Sequence, residues 1–573
     1  MSFESDYQAE LAQLRDMGRA LAVEQPALAG MLACAGSDPD VERLLQGVAF
    51  LTARVRQRLD DVAPALIETL ADVLLPHLTR PRPACSIVQV EVAGSAVRTG
   101  QVVPAGSRVL SQPIEGTRCT FTTTRPLTLL PLRVTSQRLD DSTPSCPTLT
   151  LELELHPGAA LRCLAEAPLR LYVHAERATA TQLALWLSEH LQGVSVRTEA
   201  GQTVPLGARA VRWLGFDPGD ALVPWPAFAP EASRLLSEYL TLPAKFFFLD
   251  VHGLEVLAGR PETRFALELR FRRPPPLPTR LADDALRLHC VPVANVFPTP
   301  GEPVRTRDDG RPALLRAAGM DPHHMEVLDV HTVVGTSSRR PRRTYPAFHV
   351  FRHLGDHASH CFYVLSRRRS PVDDGTHTYL RLQRDPAETE PDDETLSLEL
   401  ACTNRSLPRG LRAGDLRGVT SDLPAGVSVA NIAPVSLPGA PPLGERAMWH
   451  MLAHLGCSRR TLADGEALRA LLAIHLAQTP LEHAARRAAE AQREAMRSVH
   501  AQSTVRLVGR AAAAGTRYGV ELAESGFCSE GDAFLFGRVL HALLTIDARV
   551  NTFADLVCTL QPSGRVLRYE AVS

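Results

Sequence analysis

Pro81-Arg82-Pro83, followed by Ser86 to Ala93 (SIVQVEVA), is the stretch on which the reading of the fold turns. Upstream of it the apolar residues recur every three or four positions; downstream they recur every second position. Leu11, Leu14, Met17 and Leu21 keep helical spacing. So do Val41, Leu44, Val48, Leu51, Val55 and Leu59, after a cap region at Ser37, Asp38 and Pro39. A shorter helix is expected from Leu66 to Leu75, ending at Pro76. The apolar stripes read first as intramolecular core and second as a face for a partner subunit, because most helical stripes serve tertiary packing.

Beyond the double proline, Thr148 to Leu155 (TLTLELEL), Leu169 to His174, Arg264 to Phe271 and Thr395 to Leu400 alternate as strands. Helices interrupt at about 180–191 and 231–240. Pro274-Pro275-Pro276-Leu277-Pro278 and Leu437 to Leu443 (LPGAPPL) read as connectors. The C-terminal part turns helical at Ala447–Leu455 and Glu466–Leu476. Pro480 then opens a longer helix to about His500, with Glu482 and Arg486 spaced for an i,i+4 pair. Short strands (504–510, 517–522) and a helix at about 532–544 follow. The expectation is a multidomain α+β chain with helical N- and C-terminal parts flanking a mostly β middle region. Its units are an N-terminal helical region at 1–80, a β-rich domain with short helices at 81–280, a second β-rich domain at 281–440 and a mixed helical domain at 441–573.

Composition limits the chemistry. The 573 residues are 45% hydrophobic and 22% charged, ordinary values for a chain that buries several cores. The formal net charge of -1 gives no overall pull toward nucleic acid or an anionic membrane. Lys245 is the only lysine, set in the apolar run Ala244-Lys245-Phe246-Phe247-Phe248 without a glycine-rich loop before it. A Schiff-base or phosphate-loop lysine would have to be this one. The eleven cysteines are dispersed, with no CxxC pair, as in a reduced cytoplasmic protein. The opening MSFESDYQAEL has no apolar signal region, and no apolar run reaches membrane-spanning length.

Catalytic motifs are missing: there is no GxxxxGK[ST], GxGxxG, HExxH or GxSxG. The best metal candidate is His353, His357, His360 and Cys361, three imidazoles and a thiol within nine residues. Gly355 and Asp356 break the run and its flanks read as strands, so a hairpin loop with solvated histidines is the expected form. His323-His324 is weaker still. The basic runs 339–343 and 367–369 lack an interleaved stacking platform for RNA and suit protein interfaces better. Glu388 to Glu394 reads as a flexible acidic loop. No cofactor is expected.

A resemblance carries the reading further. Tyr7, Glu10-Leu11, Leu14-Arg15, Gly18, Pro26, Leu28-Ala29 and Leu32 resemble the opening of the TssF family of type VI secretion baseplate proteins. Asp38 to Leu45 (DPDVERLL), Gly47, Phe50-Leu51, Leu59-Asp60, Leu75-Pro76-His77, Arg80-Pro81 and Ser86 to Gln89 continue it. Cys290 to Pro298 (CVPVANVFP), Glu302-Pro303-Val304, Phe362 to Leu365 with 367–371, Leu396 to Leu400, Cys402-Thr403-Asn404-Arg405 and Leu407-Pro408 are similar to its central segments. Trp449, His454-Leu455, Phe534 to Gly537 and Asn551-Thr552-Phe553 extend the order to the C-terminal part. The chain departs by a single early tyrosine, a looser tail after Val557 and the histidine-rich loop.

The resemblance implies a structural, non-enzymatic subunit, similar to the wedge proteins of contractile-phage baseplates. It implies assembly with TssG, TssK, TssE and a second TssF copy, around a VgrG hub and under the sheath and tube. It implies a cytoplasmic location, docked to the membrane complex through other subunits, with no nucleic acid bound and no membrane insertion. Two other readings stay open on the residues alone, a hydrolase without a recognisable motif and a metal-regulated adaptor built on 353–361.

Overall fold

The computed structural model describes residues 3–25, 39–55, 75–94, 97–143, 146–226, 229–276, 281–306, 312–337, 342–348, 361–370, 373, 375–383, 394–441, 443, 464–508, 511–545 and 552–570. The expected helix from Leu66 to Leu75 (Leu75 itself apart), the helix Ala447–Leu455, Leu277-Pro278 at the end of the connector 274–278, and His353, His357 and His360 fall outside these residues.

The N-terminal part is helical: Phe3–Glu24 forms one helix and residues 39–55 a second. Arg15 pairs with Glu42 between them. The chain then passes through the short helix Pro76–Thr79 into the strand Cys85–Val92, as the double proline demands.

The TLTLELEL run behaves as its alternation dictates. Leu149, Leu151 and Leu153 face the core at 1% exposure or less, while the intervening threonines and glutamates line the other face. This strand lies between Arg264–Phe271 and Leu132–Asp140, with Leu151 opposite Leu267 and Gln137. Leu191–Thr198 and Thr203–Pro205 complete the sheet. A four-stranded sheet of 211–213, 248–251, 169–173 and 286–287 lies alongside. The helices Arg177–Glu189 and Glu231–Thr241 contribute Leu183, Trp186, Leu235 and Tyr239 to the same core.

A six-stranded sheet draws on distant parts of the chain, in the order 416–419, 108–114, 117–123, 290–294, 85–92, 427–431. Cys85–Val92 pairs on one side with Cys290–Ala294 and on the other with Val427–Asn431. Its strands therefore cross the expected 280/281 limit. A further β unit is built on Glu326–Thr336 paired with Thr395–Thr403, with the hairpin Phe362–Arg369/Thr376–Gln383 packed over it.

The C-terminal part contains more strand than its sequence suggests. The helix expected from Pro480 to about His500 runs only from His483 to Ala495, and a thirteen-residue strand, Met496–Val508, follows at once. The alanine-rich half keeps the helix; the half with Val499, Thr504 and Val505 favours a strand. Arg486 donates to the Thr479 carbonyl at 3.3 Å, so its guanidinium is turned to the preceding loop as well as lying one turn from Glu482. The short strands expected at 504–510 and 517–522 are the ends of a long hairpin, Met496–Val508 with Ala511–Ala523. The helix Glu530–Leu544 then crosses to Thr552–Gln561, which runs parallel to Ala511–Ala523.

That crossover helix is buried between units. Phe534, Leu535, Val539, Leu540 and Leu543 join the core that holds Leu183, Trp186 and Tyr239. At its start Asp532 receives Arg177 at 2.9–3.0 Å and Gln492 at 3.0 Å, while the Thr181 and Ser529 hydroxyls meet at 2.9 Å. The C-terminal part thus shares one hydrophobic core with the first β-rich part.

Candidate functional site

The N-terminal helices carry the largest concentration of exposed apolar side chains. Leu44, Val48, Leu51 and Val55 are 69%, 48%, 64% and 57% exposed, and Met17 and Val23 are 61% and 82% exposed. Leu44, Val48, Leu51 and Val55 thus do not form the intramolecular core first expected of them, whereas Leu11 of the first helix is buried as expected, at 4% exposure. The buried face of residues 39–55 is instead the small-residue face, with Ala49 and Ala53 at 0% exposure. Leucine and valine left in water at helical spacing form a face suited to a partner helix.

The Pro81 segment is where the units are stapled. Arg80 pairs with Asp329 of the 326–336 strand at 3.0 Å. Arg82, buried, donates to Ser237 at 3.0 Å and to Thr479 at 2.8 Å, and its backbone bridges Gly439. One arginine thus touches the helix Glu231–Thr241, the C-terminal part and the connector near 439. Burial pulls its guanidinium down to about 10.

Next to Arg82 opens a cleft of about 530 Å³. Its walls carry Glu115, His323, Glu326, Asp373, Arg405 and Arg409. Arg405 grips Asp373 with two prongs, at 2.7 and 2.6 Å. Burial pushes the Asp373 carboxyl up, but hydrogen bonds from Ser370, Arg405, Gly375 and His323 outweigh it and hold it well below the ordinary range. Glu326 behaves oppositely: burial raises it to about 7, against hydrogen bonding from Thr376 and the charges of Arg405 and Arg367. His324 hydrogen bonds Thr117 at 2.8 Å and His323 lies 3.1 Å from Asp373, so both histidines serve the chain's own loops.

The other sequence candidates are also accounted for by internal contacts. Cys361 is fully buried, in a core with Tyr345 and Tyr363. Among the described residues no group of three or more His, Cys, Asp or Glu side chains is arranged to hold a metal ion. Lys245 is buried against Glu238 and donates to the Asp220 carbonyl at 3.0 Å. Burial lowers its affinity for a proton while Glu238 counteracts this. The same Glu238 accepts from Arg234 at 2.8 Å and from the Leu222 amide at 2.7 Å. Burial pushes the thiols of Cys85, Cys402 and Cys558 up to about 12, which suits packing and not nucleophilic attack.

Of the basic runs, Arg343 lies over Tyr345, Arg368 over Tyr379, and Arg367 donates to the Leu328 carbonyl at 3.1 Å. Of the acidic run, Glu394 is buried and accepts from the Tyr345 hydroxyl. The stapling role of Arg80 and Arg82 and the cleft around Arg405 were not legible from motifs. Their only sequence signal is that Arg80 and Arg405, though not Arg82, sit among the residues on which the family resemblance rests.

Comparisons with known proteins agree in direction. The type VI secretion system TssF family model matches residues 1–573. The chain is 27% identical to the type VI secretion system component TssF1 of Pseudomonas aeruginosa, over 99% of this chain and 97% of that protein. It is similar to a chain of the TssK–TssF–TssG baseplate subcomplex seen by electron cryo-microscopy, with a TM-score of 0.81, 30% identity and coverage of 93% and 98% of the two chains. A chain of the type VI secretion baseplate complex matches with a TM-score of 0.67, 27% identity and coverage of 99% and 98%. With the match running the whole length of the sequence and through the solved structures, the chain belongs to the TssF family of the type VI secretion system.

Proposed function

We propose that this protein is a structural subunit of the type VI secretion baseplate wedge and binds TssG-like and TssK-like proteins. The observation that carries the reading is the exposed leucine–valine face of residues 39–55 on a chain whose full length matches a baseplate protein. The face gathers exposed apolar residues at helical spacing, whereas elsewhere they stand scattered, as at Val102, Val256 and Val505. Of the two parts whose sequence is expected to supply helices to a bundle with TssG, residues 1–80 and 441–573, residues 1–80 supply them. The crossover helix Glu530–Leu544 is already enclosed by its own chain, so it takes no part in that bundle. TssE, a second copy of this chain, the VgrG hub and the sheath and tube are the further neighbours in the assembled baseplate, which works on the cytoplasmic side without membrane insertion. No helix among the described residues is long and apolar enough to cross a membrane.

The role is mechanical: the subunit holds partners in register and performs no reaction. Co-expression with the TssG-like protein of the same source tests it, with the mass read by light scattering after gel filtration. A complex of two copies to one supports the wedge reading. A lone monomer overturns it. Removal of residues 1–80 is expected to abolish TssG binding while the β units stay folded; retained binding refutes the placement of the bundle.

A further inference from the structure

We propose that Arg405 is a two-position element, able to leave Asp373, which it grips in this structure, and pair with Glu326, which it does not. Three observations carry this. Arg405 is 8% exposed and commits both terminal nitrogens to Asp373, yet its Nε has no hydrogen-bond partner. Glu326 is 6% exposed; Thr376 hydrogen bonds its carboxyl, while Oε1 has no partner. An unsatisfied donor and an unsatisfied acceptor therefore lie in one wall of one cleft, each sealed from water.

Their closeness follows from the loop between them. The Arg405 guanidinium lies on Gly375, where a Cβ would stand 1.6 Å from Nη2 and 2.1 Å from Nε. The next residue, Thr376, is the one that holds Glu326. The backbone is also unrelaxed here. Arg405 (φ 55) and Glu115 (φ 50), across the cleft, are two of the three non-glycine residues found at positive φ among the described residues.

The exchange is driven from the mouth of the cleft, where Asp373 is the more exposed partner, at 31% of its side chain. Loss of the Asp373 charge there frees Arg405. The guanidinium then turns its Nε–H to Glu326 Oε1, and Glu326 gives up its proton to solvent. The other cation facing Glu326 is Arg367, already donating to the Leu328 carbonyl. The strand Glu326–Thr336, the 376–383 hairpin strand and the 403–410 segment meet at this point, so the swap joins a surface event to the register of three elements.

The test uses the isolated chain and so does not depend on the assembly role. The effect of Glu326→Gln on the thermal unfolding midpoint is measured at pH 5 and pH 8, in the wild type and in an Asp373→Asn background. In the wild type the substitution raises the midpoint at pH 8 relative to pH 5, because it removes an unpaired buried carboxylate. In the Asp373→Asn background the sign reverses at pH 8, because Glu326 is then the carboxylate of Arg405. The same sign in both backgrounds overturns the proposal. Should Asp373→Asn fail to fold, Gly375→Ala supplies the second background, since its methyl displaces the guanidinium sterically; the sign reversal is again required.

Discussion

Glu238 is the side chain whose loss the fold should tolerate least. It is 7% exposed and serves three donors: Arg234 at 2.8 Å, the Leu222 amide at 2.7 Å, and Lys245. Arg234 and Lys245 are 0% and 1% exposed. Glu238→Ala therefore strands two buried cations and one amide at once. Breaking a buried ion pair from one side costs about 3–5 kcal/mol. Two features keep the figure near that range. Arg234 retains Glu231 at 2.6 Å and the Phe216 carbonyl at 3.0 Å, and Lys245, already inclined to lose its proton, can do so. We expect a loss of about 4 kcal/mol.

Lys245→Met should behave differently. It removes a deeply buried charge together with its desolvation cost and leaves Glu238 paired to Arg234, so a change of about 1 kcal/mol or less is expected. Adding Lys245→Met to Glu238→Ala should recover part of the loss. The readout is local hydrogen exchange over residues 214–248, supported by urea unfolding. If Lys245→Met opens this region as far as Glu238→Ala does, the network is not anchored on the glutamate and the reasoning fails.

Three other outcomes follow from the same geometry. Gly531→Ala places a Cβ 2.1 Å from the Thr181 carbonyl oxygen, a backbone atom that cannot step aside, so a loss of about 3 kcal/mol and loosening of the helix Glu530–Leu544 is expected by thermal unfolding. Leu44→Ser and Leu51→Ser change side chains already in water; unfolding should shift by less than about 0.5 kcal/mol, while affinity for the TssG-like partner, measured by calorimetry, falls at least about tenfold. Glu326 takes up its proton near pH 7 in the folded chain and near 4.5 when unfolded, so the folded state holds the extra proton between those values. Stability therefore falls as pH rises through that window, by about 3 kcal/mol, and Glu326→Gln should remove this slope.

The strands of the middle region were legible because period two survives without any knowledge of neighbours: Leu149, Leu151 and Leu153 had to face one side. The helices at 177–189 and 231–241 were found within a few residues for the same local reason. Lys245 was recognisable as buried from the phenylalanines after it. What local pattern does not carry is the pairing partner. Nothing near Cys85–Val92 says that it lies between strands some two hundred and some three hundred and forty residues away. The exposure of Leu44 and Leu51 is equally hidden, since a stripe reads alike whether its cover is the same chain or another. Glu326 carries no local signal in the sequence; only the fold encloses it.

The double proline that reveals the change of period also explains how such a subunit transmits load. The apolar helices meant for partners lie N-terminal to Pro76, and just beyond that proline Arg80 is fixed to Asp329 and Arg82 to Ser237 and Thr479. A displacement that reaches this segment therefore enters the molecule where its first, second and C-terminal β units are held together. A flexible linker at this position would let partner and body move independently; proline, with its fixed φ, and buried arginine bonds do the opposite. The Arg405 cleft begins on the other side of Arg82, so a rearrangement there acts on the same joint from within.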